Sequence, residues 1–464
     1  MARLFGTDGV RGVANMDLTP ELALALGRAA GAVLCRYVGE AETPAQGGVG
    51  QGVIVGRDTR RSGRMLESAL AAGLCSVGME VWLAGVIPTP GLAFLATLPE
   101  FVAGAVISAS HNPAPDNGIK FFDGDGLKLA DATEEEIEGL MDASRNGARP
   151  AQRANVLPRP TEAGIGRVGD RRDLVDVYVG RLLSYAPSLA GMRIVLDCAN
   201  GATFRVAPKL FRAAGADLRV LFDSPDGTNI NAGCGSTDPR ALQRAVVEQR
   251  AAIGFAFDGD GDRVIVVDER GALVDGDALI GILALEMRRR SELSGDVVVG
   301  TVTTNGGLEA TLAREGVRLV RTPVGDKHVF DGIVKSGASL GGETSGHVII
   351  RRLSTTGDGI LTALRLLAVV RERGVPVSEL ARTIEIWPQI LRNVHAPRRE
   401  EWERIEPFAS AVAAMRTRLG EGGSVIVRPS GTEPVLRIYV EARDKAVAAS
   451  SADELARAAE RLLS

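Results

Sequence analysis

Short apolar runs of strand length alternate along this chain with helix-length amphipathic stretches, and the alternation starts afresh three times. The first round places strands at 53–55, 79–83 and 101–107 around a helix over 62–77. Ahead of it, Thr19 as N-cap and Pro20 at the first helical position open a helix running to about residue 37. A second round runs from a strand at 193–196, through helices at 203–214 and 239–250, to a strand at 253–257. The third has helices at 277–290 and 308–315, a strand at 297–302 and a closing helix at 359–373. Such β-α-β alternation predicts parallel sheets with helices packed on their faces.

The remainder separates these rounds. Residues 40–52 are rich in Gly, Pro and Gln and read as a flexible surface loop. The Arg/Pro/Gly-rich stretch 145–169 reads as a linker. The last unit differs, with strands at 424–427 and 435–440 and a helix at 453–463. At 464 residues the chain exceeds a single core. The expected architecture is three similar α/β domains, at 1–160, 161–268 and 269–383, with mixed, mainly parallel sheets. A smaller C-terminal α+β domain follows at 384–464.

Composition narrows the function classes. Acidic residues outnumber basic ones, 58 to 54, so no bulk positive field recruits nucleic acid. Three Trp, four Tyr and twelve Phe leave few platforms for stacking bases. Cys35, Cys75, Cys198 and Cys234 form no CxxC pair and read as reduced thiols of a cytosolic protein. No signal peptide is expected before Phe5, and no apolar run is long enough for a bilayer.

Polar loops carry the chemistry. Ser108-Ala-Ser-His-Asn-Pro113 follows the strand at 101–107, where open α/β sheets bind ligands. Ser110 there is flanked by His111 and Asn112, both possible donors to an anion. Lys120 lies soon after, between Ile119 and Phe121. Desolvated in that strand, it is suited to proton transfer. Asp258, Asp260 and Asp262 alternate with glycines, and three converging carboxylates repel unless a hard divalent cation joins them. A calcium EF-hand is rejected, because Arg263 stands where its loop needs Gly and 264–267 reads as a strand. In the loop 341–347, Glu343 and Ser345 suit adjacent sugar hydroxyls, and His347 can pair with an anion or carry a proton. Arg428-Pro-Ser-Gly-Thr432 offers a guanidinium, two hydroxyls and glycine amides as a phosphate cradle. Near the N-terminus, Gly6-Thr-Asp-Gly-Val-Arg-Gly12 brings Arg11 within a glycine-rich turn.

Four of these motifs, in this order, resemble the α-D-phosphohexomutase superfamily over essentially the whole chain: 108–113, 258–263, 342–347 and 428–434. The N-terminal motif, Asn229-Ile-Asn231 with Cys234–Asp238, and Thr356-Gly-Asp-Gly359 resemble its glucosamine branch. Thr344 and Lys327-His328 depart from the usual pattern and bear on fine substrate preference.

The resemblance implies a central cleft in which Ser110 is carried as a phosphoserine. Mg²⁺ is then held by that phosphate with Asp258, Asp260 and Asp262. It further implies Lys120 as general acid/base, Arg263 and His111 near the transferring group, and Arg11 on the phosphoserine. Glu343, Ser345 and His347 would face the sugar; Arg428, Ser430, Gly431 and Thr432 would hold the non-reacting phosphate. The implied reaction interconverts glucosamine 6-phosphate and 1-phosphate through a 1,6-bisphosphate, which also serves as activator. It would feed amino-sugar nucleotide and cell-wall precursor synthesis in the cytoplasm, with a homodimer as the expected assembly. The competing readings are a phosphomannomutase/phosphoglucomutase, a Mg²⁺-dependent phosphatase and a non-catalytic sugar-phosphate sensor.

Overall fold

The computed structural model describes residues 4–6, 8–36, 52–145, 157–430 and 434–463. Gly431, Thr432 and most of the 40–52 loop lie outside the described residues. Four sheets follow one another along the chain. The first holds β1 (Val10–Val13), β2 (Gly52–Arg57), β3 (Glu80–Val86), β4 (Phe101–Ile107), β5 (Asp116–Asp123) and β6 (Val168–Asp170), in the order β1-β5-β4-β2-β3-β6. The second holds β7 (Arg193–Asp197), β8 (Asp217–Leu221), β9 (Ile253–Phe257), β10 (Val264–Asp268) and β11 (Leu273–Val274), ordered β11-β10-β9-β7-β8. The third holds β12 (Val297–Thr301), β13 (Arg318–Thr322), β14 (Leu340–Gly342) and β15 (Val348–Ile350), ordered β13-β12-β14-β15. The fourth, of β16 (Gln389–His395), β17 (Gly423–Pro429) and β18 (Val435–Ala442), is antiparallel throughout.

A common plan runs through the first three. Each has three parallel strands, β3-β2-β4, β8-β7-β9 and β13-β12-β14. Each then adds one antiparallel strand beside the last: β5, β10 and β15. The turns joining these final pairs contain Ser110, the three aspartates, and Glu343 to His347 respectively. Three chemically distinct loops therefore occupy one topological position.

The strand β4 is buried along its whole length, as a central strand covered on both faces must be. Helices Pro20–Leu34 and Gly63–Cys75 cover one face of that sheet with Leu26, Leu66 and Leu70. The second and third units share one continuous core, in which Val206 and Leu210 join Leu308 and Ile360. The fourth has its own core around Phe408, Leu436 and Ile438. It is seated on the third unit by Trp387, whose N–H donates to Asn305 Oδ1 at 2.8 Å, while Asn305 Nδ2 donates to Trp387 O at 2.9 Å. Gly306 N donates to Glu441 Oε1 at 2.8 Å, and a Cβ on Gly306 would lie 2.7 Å from that oxygen and from the indole.

Several elements escape the sequence reading. Helix Thr89–Ala96 is almost wholly buried and shows no polar face. Val168–Asp170, overlapping the end of the stretch read as a linker, is the edge strand β6 beside β3. The final helix starts at Lys445 rather than 453, because Asp444 caps it by accepting from Ala446 N and Val447 N. All four cysteines are free, and Cys75, Cys198 and Cys234 are buried.

Candidate active site

Ser110 follows β4 in the left-handed region, with φ 49°, which is uncommon for a residue bearing a Cβ. Its backbone is gripped from two units. Arg60, fully buried, donates from Nη2 to Ser110 O at 2.9 Å and to Asn112 O at 2.8 Å. Its Nη1 reaches Asp116 O at 3.0 Å and also Pro113 O. Asn231, from the second unit, donates to Ser110 O at 2.8 Å and Asn112 O at 3.0 Å. Asp58 balances the Arg60 charge at 2.9 Å and accepts from Ser108 Oγ at 2.7 Å, and Ser108 Oγ in turn accepts from Ser110 N. With its carbonyls thus engaged, the loop presents Ser110 Oγ 2.5 Å from Asp258 Oδ2 and 3.4 Å from His111 Nδ1. Burial, with Arg263 and Arg11 nearby, pushes the His111 imidazole down to about 4, so it is neutral at physiological pH.

The turn from β9 to β10 brings ligand atoms of Asp258, Asp260 and Asp262 within 4.8 Å of one another, all buried. Asp260 is anchored by Thr89, whose Oγ1 donates to Oδ2 at 2.6 Å. Asp260 Oδ1 and Asp262 Oδ1 are buried with no hydrogen-bond partner among the described residues. Burial, followed by repulsion from Asp262 and Asp260, pushes the Asp258 carboxyl far above its usual range. Burial also opposes the Asp262 charge, but His347 and Arg263 outweigh it and hold that carboxyl down. Orphaned buried oxygens on a like-charged cluster fit a hard divalent cation. Asp260→Asn is expected to weaken divalent-cation binding at least about tenfold, since one charged ligand becomes neutral. Calorimetric Mg²⁺ titration of the chelator-stripped protein checks this; undiminished affinity would remove the metal assignment.

Lys120 Nζ, on β5, is buried and paired with Asp8, and lies 3.5 Å from Asp326 Oδ2. The lysine that the sequence reading placed in an apolar strand thus sits between two carboxylates, from the N-terminal turn and the third unit. Arg11 also pairs with Asp8. Arg263 lies 3.8 Å from Asp262 and bridges by backbone to His347, joining the second and third hairpins. His347 Nδ1 faces Asp262 Oδ2 at 3.4 Å. Its Nε2 accepts from Gly357 N at 3.1 Å, which places the ring proton of the neutral form on Nδ1. Glu343 Oε1 accepts from Gly325 N at 2.9 Å, and Ser345 Oγ is buried with no hydrogen-bond partner among the described residues. Lys327 turns away from these groups to Asp131 at 2.5 Å.

The fourth unit stands apart from this cluster. Ser430 is buried, its N–H donating to Val435 O at 2.8 Å and its carbonyl accepting from Arg399. Arg428 is exposed beside Arg437 on β18. Among the described residues, no hydrogen bond or ion pair joins either residue to Ser110 or the aspartates.

Four family models match, in chain order. They describe the three alpha/beta/alpha domains of phosphoglucomutase/phosphomannomutase, at residues 2–148, 176–271 and 275–386, and its C-terminal domain at 391–458. The chain belongs to this phosphohexomutase family. It is 51% identical over 447 residues, 96% of each chain, to the phosphoglucosamine mutase of Symbiobacterium thermophilum. To that of Carboxydothermus hydrogenoformans it is 48% identical over the full length of both. Among solved structures, a phosphoglucomutase/phosphomannomutase family protein of Burkholderia thailandensis superposes with TM-score 0.79 at 26% identity, covering 99% of this chain and 97% of that one. The N-acetylphosphoglucosamine mutase of Aspergillus fumigatus shares the fold, with TM-score 0.65 at 18% identity over 99% and 96% of the two chains.

Within this phosphohexomutase, the sequence reading passed over residues that hold the nucleophile's surroundings. Asp58 and Arg60 carry one signal, two opposite charges directly after an apolar strand, where an ion pair has to be buried. Thr89 and Asp326 carry none of their own, because their partners lie far off in sequence, and Asp8, although it stands in the N-terminal motif beside Arg11, gives no hint of its pairing with Lys120.

Proposed function

We propose that this chain interconverts glucosamine 6-phosphate and glucosamine 1-phosphate, with Ser110 as phosphoryl carrier and Mg²⁺ as the bound cation. The observation that carries the reading is Ser110 Oγ held 2.5 Å from Asp258 inside the acidic cluster. The naming of full-length relatives at about half identity supports the glucosamine substrate. In the first transfer the bond from Ser110 Oγ to phosphorus breaks as one forms to a sugar hydroxyl oxygen. The hydroxyl proton passes to Lys120, acting in its neutral amine form, giving the 1,6-bisphosphate. After the bisphosphate turns over, its other phosphoryl group returns to Ser110 Oγ, and Lys120 protonates the sugar oxygen left behind. The same bisphosphate, as activator, would reload an unphosphorylated Ser110. Mg²⁺, held by Asp258, Asp260, Asp262 and the phosphoserine, would spread the charge that develops on the transferring group.

Around that centre, Arg263 and Arg11 supply positive charge, and neutral His111 borders the serine. Glu343 and Ser345 accept and donate to sugar hydroxyls, with His347 completing that wall. Arg428 and Ser430, with Gly431 and Thr432, hold whichever phosphate is not reacting. The separate core of the fourth unit suits a clamp that closes over substrate and reopens for reorientation. We place the reaction in the cytoplasm.

A coupled assay with glucosamine, glucose and mannose 6-phosphates tests the reading, and kcat/KM is expected to be highest for glucosamine. A preference for either hexose would instead mark the phosphomannomutase/phosphoglucomutase reaction. Release of inorganic phosphate without isomer would mark a phosphatase. Arg428→Ala is expected to raise KM roughly 10- to 100-fold for both the 1-phosphate and the 6-phosphate, because one clamp serves both ends. A defect confined to one direction would show that the clamp reads a single end.

A further inference from the structure

A cleft of about 600 Å³ opens between the first and second units, and none of the candidate active-site residues lines it. Helix Gly63–Cys75 and the ends of β2 and β3 form one wall; helices Leu174–Leu183 and Thr203–Ala213 form the other. Leu83, Val175, Val179 and Val206 give it an apolar floor. Its volume lies in the range that accommodates a small organic ligand.

Its charges are unevenly matched. Arg57 is paired with Glu67 at 3.4 Å, Arg172 with Asp170, and Lys209 with Asp176 at 2.6 Å. Arg64 and Arg205, on opposite walls, have no ion-pair partner among the described residues. The Arg205 guanidinium lies 5.0 Å from the centre of the Phe204 ring. Glu67 is buried, and its Oε1 has no hydrogen-bond partner among the described residues. Two guanidinium groups without ion-pair partners, one on each wall above an apolar floor, suit an anion, and an orphaned carboxylate oxygen near Arg64 suits a hydroxyl donor.

We propose that this cleft is a second ligand site, taking a small organic anion with a phosphate or carboxylate head and a ring or short hydrocarbon body. Arg64 and Arg205 hold the head from the two units, and the body lies on the apolar floor. A ligand hydroxyl satisfies Glu67 Oε1. Both walls lead to the reacting groups. Arg57 Nη1 donates to Asp58 O at 3.2 Å, and Asp58 supports Ser108 and Arg60 beneath the Ser110 loop. On the other wall, Ala202 N donates to Gly259 O at 2.7 Å, and a Cβ on Gly261 would lie 2.6 Å from Thr203 Cγ2. Drawing the walls together therefore moves the serine loop relative to the aspartate loop, and occupancy changes turnover from outside the active site.

Saturation-transfer NMR with phenylphosphonate and, separately, benzoate tests the site on the full chain. At least one probe is expected to bind wild type, with affinity reduced tenfold or more in the Arg64→Ala/Arg205→Ala double variant. The tighter probe identifies the head group. Both arginines are exposed, so the double variant is expected to fold and to keep basal turnover. No binding by wild type, or equal binding by the double variant, would overturn the site. The bound probe is expected to alter kcat in wild type and to have no effect in the double variant; binding with unchanged kcat would overturn the coupling. The binding arm needs no assumption about the reaction, so its failure and that of the mutase assignment are read separately.

Discussion

Ser110→Ala is expected to lower turnover by on the order of 10⁴-fold or more, because it removes the only atom on which a transferred phosphoryl group would be carried. The fold should survive. The loop's conformation is held through its carbonyl oxygens by Arg60 and Asn231, and neither contact uses the serine side chain. Alanine also keeps the Cβ already accommodated at φ 49°. The melting temperature should therefore stay close to wild type while activity disappears. Intact-mass measurement should find a phosphoryl group on wild type and none at this position in the variant. Turnover near the wild-type rate would reject Ser110 as the carrier.

Arg60→Met is expected to produce the largest loss of stability, about 3–5 kcal/mol, the scale for removing one partner of a buried ion pair. Asp58 would be left fully buried with its charge unmatched, and burial already pushes that carboxyl up. The carbonyls of Ser110, Asn112, Pro113 and Asp116 would lose their guanidinium donor together. Urea denaturation measures the loss directly. Combining it with Asp58→Asn removes the stranded charge, so the double variant should lose less than the sum of the singles. Strict additivity would show that the two residues act independently.

Much of this architecture was legible because strand ends and functional loops coincide. The strand reading of 101–107 matches β4 in both bounds, and 359–373 matches its helix, since each is a mainly apolar stretch with a clear stop. The three polar loops stood out by composition. Their meeting did not, because it depends on contacts such as Ser110 to Asp258 and Lys120 to Asp326, between units that no local pattern relates. Helix Thr89–Ala96 lacks the polar face that a periodicity argument needs. The strand β6 is only three residues long and follows a stretch whose prolines and glycines signal loop. The charge pair of Asp58 and Arg60 after a strand was readable, but the targets of Arg60 were not, because it acts on backbone carbonyls, which every residue has.

The shared position of the three working turns has a further effect. In an ordinary β-α-β unit, a loop leaves a strand and enters a helix, so its two ends are fixed by different elements. Here both ends of each turn enter strands that are hydrogen-bonded to each other, β4 with β5, β9 with β10 and β14 with β15. A short segment tethered to one ladder at both ends has little conformational freedom left to lose when a ligand arrives. The serine, the aspartates and the glutamate are thus presented by loops whose entropy was surrendered during folding. Adjustment to substrate would then fall to the joints between units, such as the seat where Trp387 and Asn305 join the fourth unit to the third.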